Sequence, residues 1–273
     1  MHLLLVRHGE SVDNVAGLYG GSRDAALTAH GVLQAHRFAS SLIQSRLEVK
    51  HVFASNLVRA AKTAEVICDS QNKVHQSALT VVQLAELREK HFGNWEGVRF
   101  SPVPSYERPV QTGAETLESL KARTNAFLEK HLAPALSQPA LGSDKNCVVV
   151  VSHGITLGVL ISTLLKKLAV CEDHGSTSPG LNQLTSTRIS WSNTGYLHLV
   201  VTPSNATAAS AAVGQSPWPR VQLRVSQINC TTHLVGLRKT RGGIGSAAHD
   251  EKQKTLDGFL VPSRKRRAED DSN

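Results

Sequence analysis

The chain alternates short apolar runs with stretches whose apolar residues recur every three or four positions. Leu3-Leu4-Leu5-Val6 is the first run and reads as a buried strand that stops at Arg7-His8-Gly9. Val32, Ala35, Ala39, Leu42 and Ile43 then repeat at helical spacing behind Thr28, a residue suited to cap a helix. His51-Val52-Phe53-Ala54 predicts a second strand. Leu57, Ala60, Ala61, Ala64 and Ile67 predict the stripe of a second helix, with Ser55 as its cap. Leu79-Thr80-Val81-Val82 predicts a third strand, and 115–136 a helix with Leu117, Leu120, Phe127, Leu128 and Leu132 inward. Cys147-Val148-Val149-Val150-Val151 is a second apolar run ending in His-Gly, at Ser152-His153-Gly154, and a helix follows over 155–168. Further on, 188–191 and 196–201 flank Asn193-Thr194-Gly195, a turn signal, and predict a hairpin. A long loop at 202–219 leads to an alternating strand over 220–225.

Strands alternating with helices predict an α/β fold: a three-layer sandwich with a mostly parallel central sheet and helices on both faces. One catalytic domain is expected over 1–237. Beyond Leu237 the apolar content collapses, so 238–273 is expected to be a disordered basic tail. The run 148–165 is apolar enough to raise the question of a membrane span, but it carries Ser152, His153, Gly154 and Thr156 in sequence, which fits a strand followed by a helix.

Composition narrows the partners. With 273 residues and 40% hydrophobic content the chain can bury a sizeable core. The excess of 30 Lys+Arg over 22 Asp+Glu favours anionic partners, phosphorylated metabolites among them. Cysteines at 68, 147, 171 and 230 have neither metal-ligand nor redox spacing. They fit a reducing compartment, and with no secretion signal the expected location is cytoplasmic and/or nuclear.

Ligands of open α/β sheets bind at the carboxyl ends of strands, where both His-Gly pairs fall. Arg59 stands in the first turn of its helix, where the macrodipole disfavours a cation. Either an anion sits nearby or the side chain is simply solvated. The loop Gly17-Leu18-Tyr19-Gly20-Gly21-Ser22 could bring backbone N–H groups to an anion or be an ordinary turn. Two Arg and two His at one sheet edge suit a phosphoryl group, whose transition state spreads negative charge over three oxygens. A neutral imidazole is a competent nucleophile, and a carboxylic acid is still needed to protonate the leaving alkoxide. Metal binding by the two His is the rival reading, weakened because flanking arginines repel a cation.

Arg7-His8-Gly9-Glu10-Ser11 with Asn14, Gly20-Gly21, Leu27-Thr28 and Gly31, then Ser55-Asn56-Leu57-Val58-Arg59-Ala60-Ala61-Lys62-Thr63-Ala64, then Val151-Ser152-His153-Gly154, resemble the histidine phosphatase (phosphoglycerate mutase-like) superfamily. The resemblance implies that His8 is the phosphorylated nucleophile and that Arg7, Arg59 and His153 hold phosphoryl oxygens. It implies that Glu89 is the proton donor, with Glu86 and Glu96 as alternatives. It also implies that Asn14, Gly20, Gly21 and Gly154 line the phosphate and substrate pocket. No metal, cofactor, membrane span or direct nucleic-acid contact is expected. Leu87-Arg88-Glu89-Lys90-His91-Phe92-Gly93-Asn94-Trp95-Glu96-Gly97, Thr112-Gly113-Ala114-Glu115-Thr116-Leu117, Asn193-Thr194-Gly195 and His233-Leu234-Val235-Gly236-Leu237 further resemble the TIGAR-like fructose-2,6-bisphosphatase branch. A phosphoglycerate mutase is the enzymatic alternative. Against it, the segment after Glu89 is short and carries Tyr106-Glu107-Arg108 where mutases of this superfamily have an arginine pair.

The tail adds a separate expectation. Gln253, Leu256, Phe259 and Leu260 resemble a sliding-clamp interaction box, with Leu260 where a second aromatic is usual. Arg264-Lys265-Arg266-Arg267 reads as a nuclear import signal or an electrostatic patch. A nuclear interaction protein acting through this tail, or a solvated tail without a partner, are the alternatives.

Overall fold

The computed structural model describes residues 1–100, 110–137, 144–171, 189–203, 218–219, 221–239 and 244–249, with the side chains of 169–171 left out. Its centre is a six-stranded sheet: β1 (His2–Arg7), β2 (Glu48–Ser55), β3 (Val81–Leu84), β4 (Asn146–Ser152), β5 (Tyr196–Pro203) and β6 (Val221–Cys230), in the order β3-β2-β4-β1-β5-β6. The pairs β1·β4, β2·β4 and β2·β3 are parallel, while β5 runs antiparallel to both β1 and β6. The sheet is therefore mixed at one edge and parallel where the two His-Gly strands lie.

Alternation along the central strands gives the sheet two apolar faces, as a doubly covered sheet requires. Leu3, Leu5, Val148 and Val150 point to one side. There they pack with Leu120, Phe127, Leu128 and Leu132 from the helical stretch 117–136, and with Leu157, Leu160, Ile161 and Leu164 of another helix, α6 (Gly154–Cys171). Leu4, Val6, Val149 and Val151 point to the other side. Their partners are Phe38, Ala39 and Leu42 of α2 (Ala29–Gln44) and Ala60, Ala64 and Ile67 of α3 (Val58–His75). These helices form the two outer layers. α1 (Val12–Ala16) is one short turn after β1.

Several elements differ from the sequence reading for identifiable reasons. The inward face of α2 is built around Phe38, fully buried, while Val32 and Ile43 are only half-buried. Ser55 ends β2, and Leu57, not Ser55, caps α3. Strand β3 starts at Val81, two residues later than expected. The stretch after Thr116 is α4 (Leu117–Phe127), a π-helical turn (Leu128–Leu132) and α5 (Ala133–Leu136). Pro134 has no N–H to give to the preceding turn, and the ladder widens just before it.

The expected hairpin does not form: 189–192 is irregular, and β5 pairs with β1 on one side and β6 on the other, leaving no edge for it. That segment's polar groups are engaged elsewhere. The Trp191 carbonyl accepts from Arg7 and the Ser192 N–H donates to Asn229. The tail is also not wholly without structure. Residues 244–249 lie along the start of α2, where the Ala29 N–H, an orphan at a helix N-terminus, donates to the Ala247 carbonyl at 3.1 Å and His249 N–H donates to Leu27. The clamp-like box, the basic cluster and Tyr106-Glu107-Arg108 lie outside the described residues, as does most of the loop at 202–219. Among the described residues no helix is long and apolar enough to cross a membrane.

Candidate active site

Adjacent parallel strands in register bring their ends to one place. Arg7 of β1 lies opposite Ser152 of β4, and the His8 N–H donates to the Ser152 carbonyl at 3.0 Å. The next residue on each strand is a histidine, and the rings of His8 and His153 come to 5.0 Å between centroids. Both are buried, at 3% and 1% exposure. His8 Nδ1 is 2.6 Å from the Gly9 carbonyl, which can only accept, so Nδ1 carries the proton and the lone pair of the neutral ring is on Nε2. Arg59 Nε donates to that Nε2 across 3.2 Å. Burial first, then the charges of Arg59 and Arg7, hold the His8 pKa well below the ordinary imidazole value. Burial and Arg59 do the same to His153, whose two buried ring nitrogens hydrogen-bond to no protein atom.

The arginines are held by carbonyls. Arg59 Nη1 donates to Arg23 at 2.6 Å and Nη2 to Gly21 at 2.8 Å. This accounts for a cation in the first turn of α3: the turn of chain before α2 supplies acceptors, and the guanidinium faces His8. Burial lowers its pKa while Glu89 opposes the shift. Arg7 Nη1 donates to the Trp191 carbonyl at 2.6 Å, and its buried Nε has no protein partner. Burial lowers the Arg7 pKa too, again opposed by Glu89. Thr63 Oγ1 accepts from Gly9 N–H at 3.0 Å and donates to the Arg59 carbonyl at 2.7 Å, tying the loop after β1 to α3. Gly9 and Gly31 cross at backbone distance, since a Cβ on Gly31 would lie 2.1 Å from the Glu10 carbonyl oxygen.

Glu89 approaches from the other side. Its Oε2 accepts from Ile155 N–H at 3.2 Å and Oε1 from Thr156 N–H at 3.1 Å; the Thr156 hydroxyl, 3.1 Å from Oε1, donates to the Arg88 carbonyl at 2.6 Å. These are the first free amides of α6, which begins one residue after His153, and a carboxylate is favoured at such a helix end. Arg123 fixes the loop that carries Glu89. It donates to the carbonyls of Glu86, Arg88 and Glu89 and pairs with Glu115 at 2.7 Å. The rival Glu96 is engaged with Ser22 and Phe92, bracing the Gly20-Gly21 loop. Glu86 lends its carbonyl to Arg123. A cavity of about 430 Å³ opens beside Glu89, lined among others by Ser22, Arg88, His91 and Arg123.

The remaining predicted site residues surround this centre in different ways. Asn14 Oδ1 accepts from Ser11 N–H and from Asn193 Nδ2, which also donates to the His8 carbonyl. Gly20 and Gly21 turn carbonyls, not N–H groups, to Arg23 and Arg59. Gly154 is the first residue of α6, and a Cβ there would meet open space. Sequence reasoning did not single out Thr63, Arg123, Thr156 and Trp191. Thr63 sits one turn past Arg59 on the same helix face, a signal that was available. The carbonyl of Trp191 and the reach of Arg123 to a loop some thirty residues earlier have no sequence signature.

A lone-pair-bearing imidazole, two arginines and a second imidazole with unengaged nitrogens converge where a tetrahedral oxyanion would be bound on several sides. Among the described residues no group of three or more His, Cys, Asp or Glu is placed to hold a metal ion. Comparison with known proteins agrees with this chemistry. The family model of the histidine phosphatase superfamily (branch 1) matches residues 3–195. The "Probable phosphatase C1620.13" of Schizosaccharomyces pombe is 32% identical over 261 residues, covering 94% of this chain and 78% of its own. The "Probable phosphoglycerate mutase GpmB" of Erwinia tasmaniensis is 30% identical over 169 residues, covering 60% and 75%. The fold is shared with the mycobacterial glucosyl-3-phosphoglycerate phosphatase Rv2419c, at a TM-score of 0.57 and 22% identity over 84% of this chain and 98% of that one. It is shared too with the alpha-ribazole phosphatase of Shigella flexneri, at 0.53 and 23% over 85% and 97%. The chain is an enzyme of the histidine phosphatase superfamily, to whose first branch it belongs.

Proposed function

We propose that the chain hydrolyses phosphomonoesters of small anionic metabolites through a phosphohistidine at His8 Nε2. The observation that supports this most is the state of His8: Nδ1–H committed to Gly9, Nε2 free to attack, and a pKa held low enough to keep the ring neutral. In the first step Nε2 bonds to phosphorus and the ester P–O bond breaks. Its electron pair leaves on the alkoxide oxygen, which takes a proton from the Glu89 carboxyl. Arg59 Nε turns from Nε2 to a phosphoryl oxygen, and Arg7 and His153 take the others, so positive charge meets the oxygens as they gain charge. In the second step a water loses its proton to Glu89 and attacks phosphorus, and the N–P bond breaks. Positive charge is supplied by guanidinium groups, so the step calls for no cation.

The cavity beside Glu89 would receive the leaving group, and its Arg88 and His91 favour one that is itself anionic. Sugar bisphosphates, fructose 2,6-bisphosphate among them, and bisphosphoglycerate fit that description. The two structural neighbours, a glucosyl-3-phosphoglycerate phosphatase and an alpha-ribazole phosphatase, support the size class. Relatives named as phosphoglycerate mutases make transfer the competing outcome. Phosphate release from 2,3-bisphosphoglycerate without exchange between 2- and 3-phosphoglycerate supports hydrolysis; rapid interconversion of the two overturns it. An alkali-stable, acid-labile phosphoenzyme absent from His8→Ala supports the assignment of the nucleophile.

A further inference from the structure

The backbone that presents the nucleophile is cradled by one turn. The Thr194 N–H donates to both the Arg7 and His8 carbonyls, at 3.1 and 3.2 Å, and the Gly195 carbonyl accepts from the Arg7 N–H at 3.1 Å. Asn193 Nδ2 adds a bond to the His8 carbonyl at 3.2 Å. The turn thus fixes the position of His8 in place of a further paired strand residue.

That cradle depends on an unfavourable residue. Thr194 is fully buried and has φ +54°, a left-handed conformation that β-branched residues rarely adopt. Its hydroxyl supplies the local compensation. Oγ1 donates to its neighbour's carbonyl on Asn193 at 2.8 Å and lies 2.9 Å from His233 Nε2. With its hydrogen already given to a carbonyl, Oγ1 can only accept from the ring, so His233 is the donor through Nε2–H. His233 comes from the short 3₁₀ turn Thr232–Leu234 that follows β6, and its ring packs on Phe38 at 5.3 Å and Tyr196 at 5.9 Å. A residue at the far end of the domain therefore reaches the turn that carries the nucleophile.

We propose that His233 is a positioning residue for His8, acting through the Thr194 hydroxyl rather than touching substrate. Its N–H keeps Thr194 in the left-handed region, the Thr194 N–H stays on the Arg7 and His8 carbonyls, and Nε2 of His8 keeps its line of attack. The inference rests on His8 being the nucleophile.

Packing and hydrogen bonding make opposite predictions for two variants. His233→Phe keeps a ring against Phe38 and Tyr196 and lacks the N–H; His233→Gln keeps an N–H donor and loses the ring. With p-nitrophenyl phosphate as probe, His233→Phe is expected to lower kcat roughly tenfold, the worth of about 1.4 kcal/mol in the transition state, with KM changed less than twofold. His233→Gln is expected to retain most of kcat. Thr194→Val, which keeps the β-branched strain at the left-handed angle and removes the hydroxyl, should match His233→Phe, and the double variant should lose no more than either single one. A His233→Phe variant with wild-type kcat overturns the inference, as does a Gln variant that loses more than Phe or a double variant whose losses multiply. Should His233→Phe fail to fold, Thr194→Val decides alone: a tenfold lower kcat supports the inference and an unchanged one overturns it. An active His8→Ala enzyme would instead overturn the nucleophile assignment, a separate result.

Discussion

Glu89 Oε1 accepts from the Thr156 N–H at 3.1 Å and lies at the same distance from the Thr156 hydroxyl, so the carboxylate on one loop is fixed by the helix that follows the second histidine. The same hydroxyl lies 2.6 Å from the Arg88 carbonyl. The loop that carries Glu89 is thus tied to α6 through one buried side chain, beside the Ile155 N–H.

Thr156→Val keeps the shape of that side chain and removes its hydroxyl. The Arg88 carbonyl keeps Arg123 and loses its second donor, at a cost of about 1 kcal/mol in stability. The loop that carries Glu89 loses a tie to α6, and kcat should fall about tenfold with little change in KM, if the lost stabilisation of about 1.4 kcal/mol is felt in the transition state. Urea unfolding and steady-state kinetics on p-nitrophenyl phosphate measure the two effects, and wild-type values for both would show that the hydroxyl is idle.

Arg59 lowers the pKa of His8, beside the contact with phosphoryl oxygens proposed for it. Arg59→Met removes a positive charge beside Nε2, so the His8 pKa rises toward the ordinary value. The acid limb of the kcat/KM profile, set by protonation of the free enzyme's nucleophile, should move to higher pH. The alkaline limb should stay where it is. An acid limb that does not move, against a large drop in the plateau, would mean that Arg59 acts on the substrate alone.

Folding stability should fall as the solution is acidified below about pH 6.5, the ordinary histidine value. His8 and His153 are held neutral in the folded chain, chiefly by burial, and His198 and His233 are pushed down to about 4. The unfolded chain takes up these protons first, so stability is present above the ordinary pKa and lost as pH falls toward the folded one. Buried His8 and His153 each contribute a slope of about 1.4 kcal/mol per pH unit, and the partly exposed His198 and His233 contribute less. Thermal unfolding between pH 7.5 and 5 checks this, with a falling Tm expected. A flat or rising Tm would show that the histidines titrate normally.

Gly31→Ala tests the crossing of the nucleophile loop over α2. The added methyl would lie 2.1 Å from the Glu10 carbonyl oxygen and 2.8 Å from its nitrogen, both backbone, so the loop must move. Destabilisation of about 1–3 kcal/mol is expected, the range of overpacked sites. A fall in kcat should accompany it, because Glu10 follows Gly9 directly. Gly154→Ala, whose Cβ meets open space, is the matched control for stability.

The sequence by itself determined the strand–helix alternation, the two apolar faces of β1 and β4, and the pair of histidines at their ends. These follow from local periodicity: period two on strands, period three to four on helices, and a polar residue where each strand leaves the core. Arg59 was legible as a cation misplaced in a first turn. The tertiary structure decided the rest. Whether Arg59 met an anion site or solvent depended on the Gly21 and Arg23 carbonyls, and a carbonyl leaves no mark in a sequence. The hairpin expected at 188–201 gave way because β5 is paired on both edges, and residues 244–249 lie along α2 where a helix N-terminus left an amide to satisfy. Thr194 carries a conformation its side chain disfavours, and only the fold shows the histidine, 39 residues on, that holds its hydroxyl. Local preference is written residue by residue; the partners that override it come from distant segments and exist only once the chain has packed.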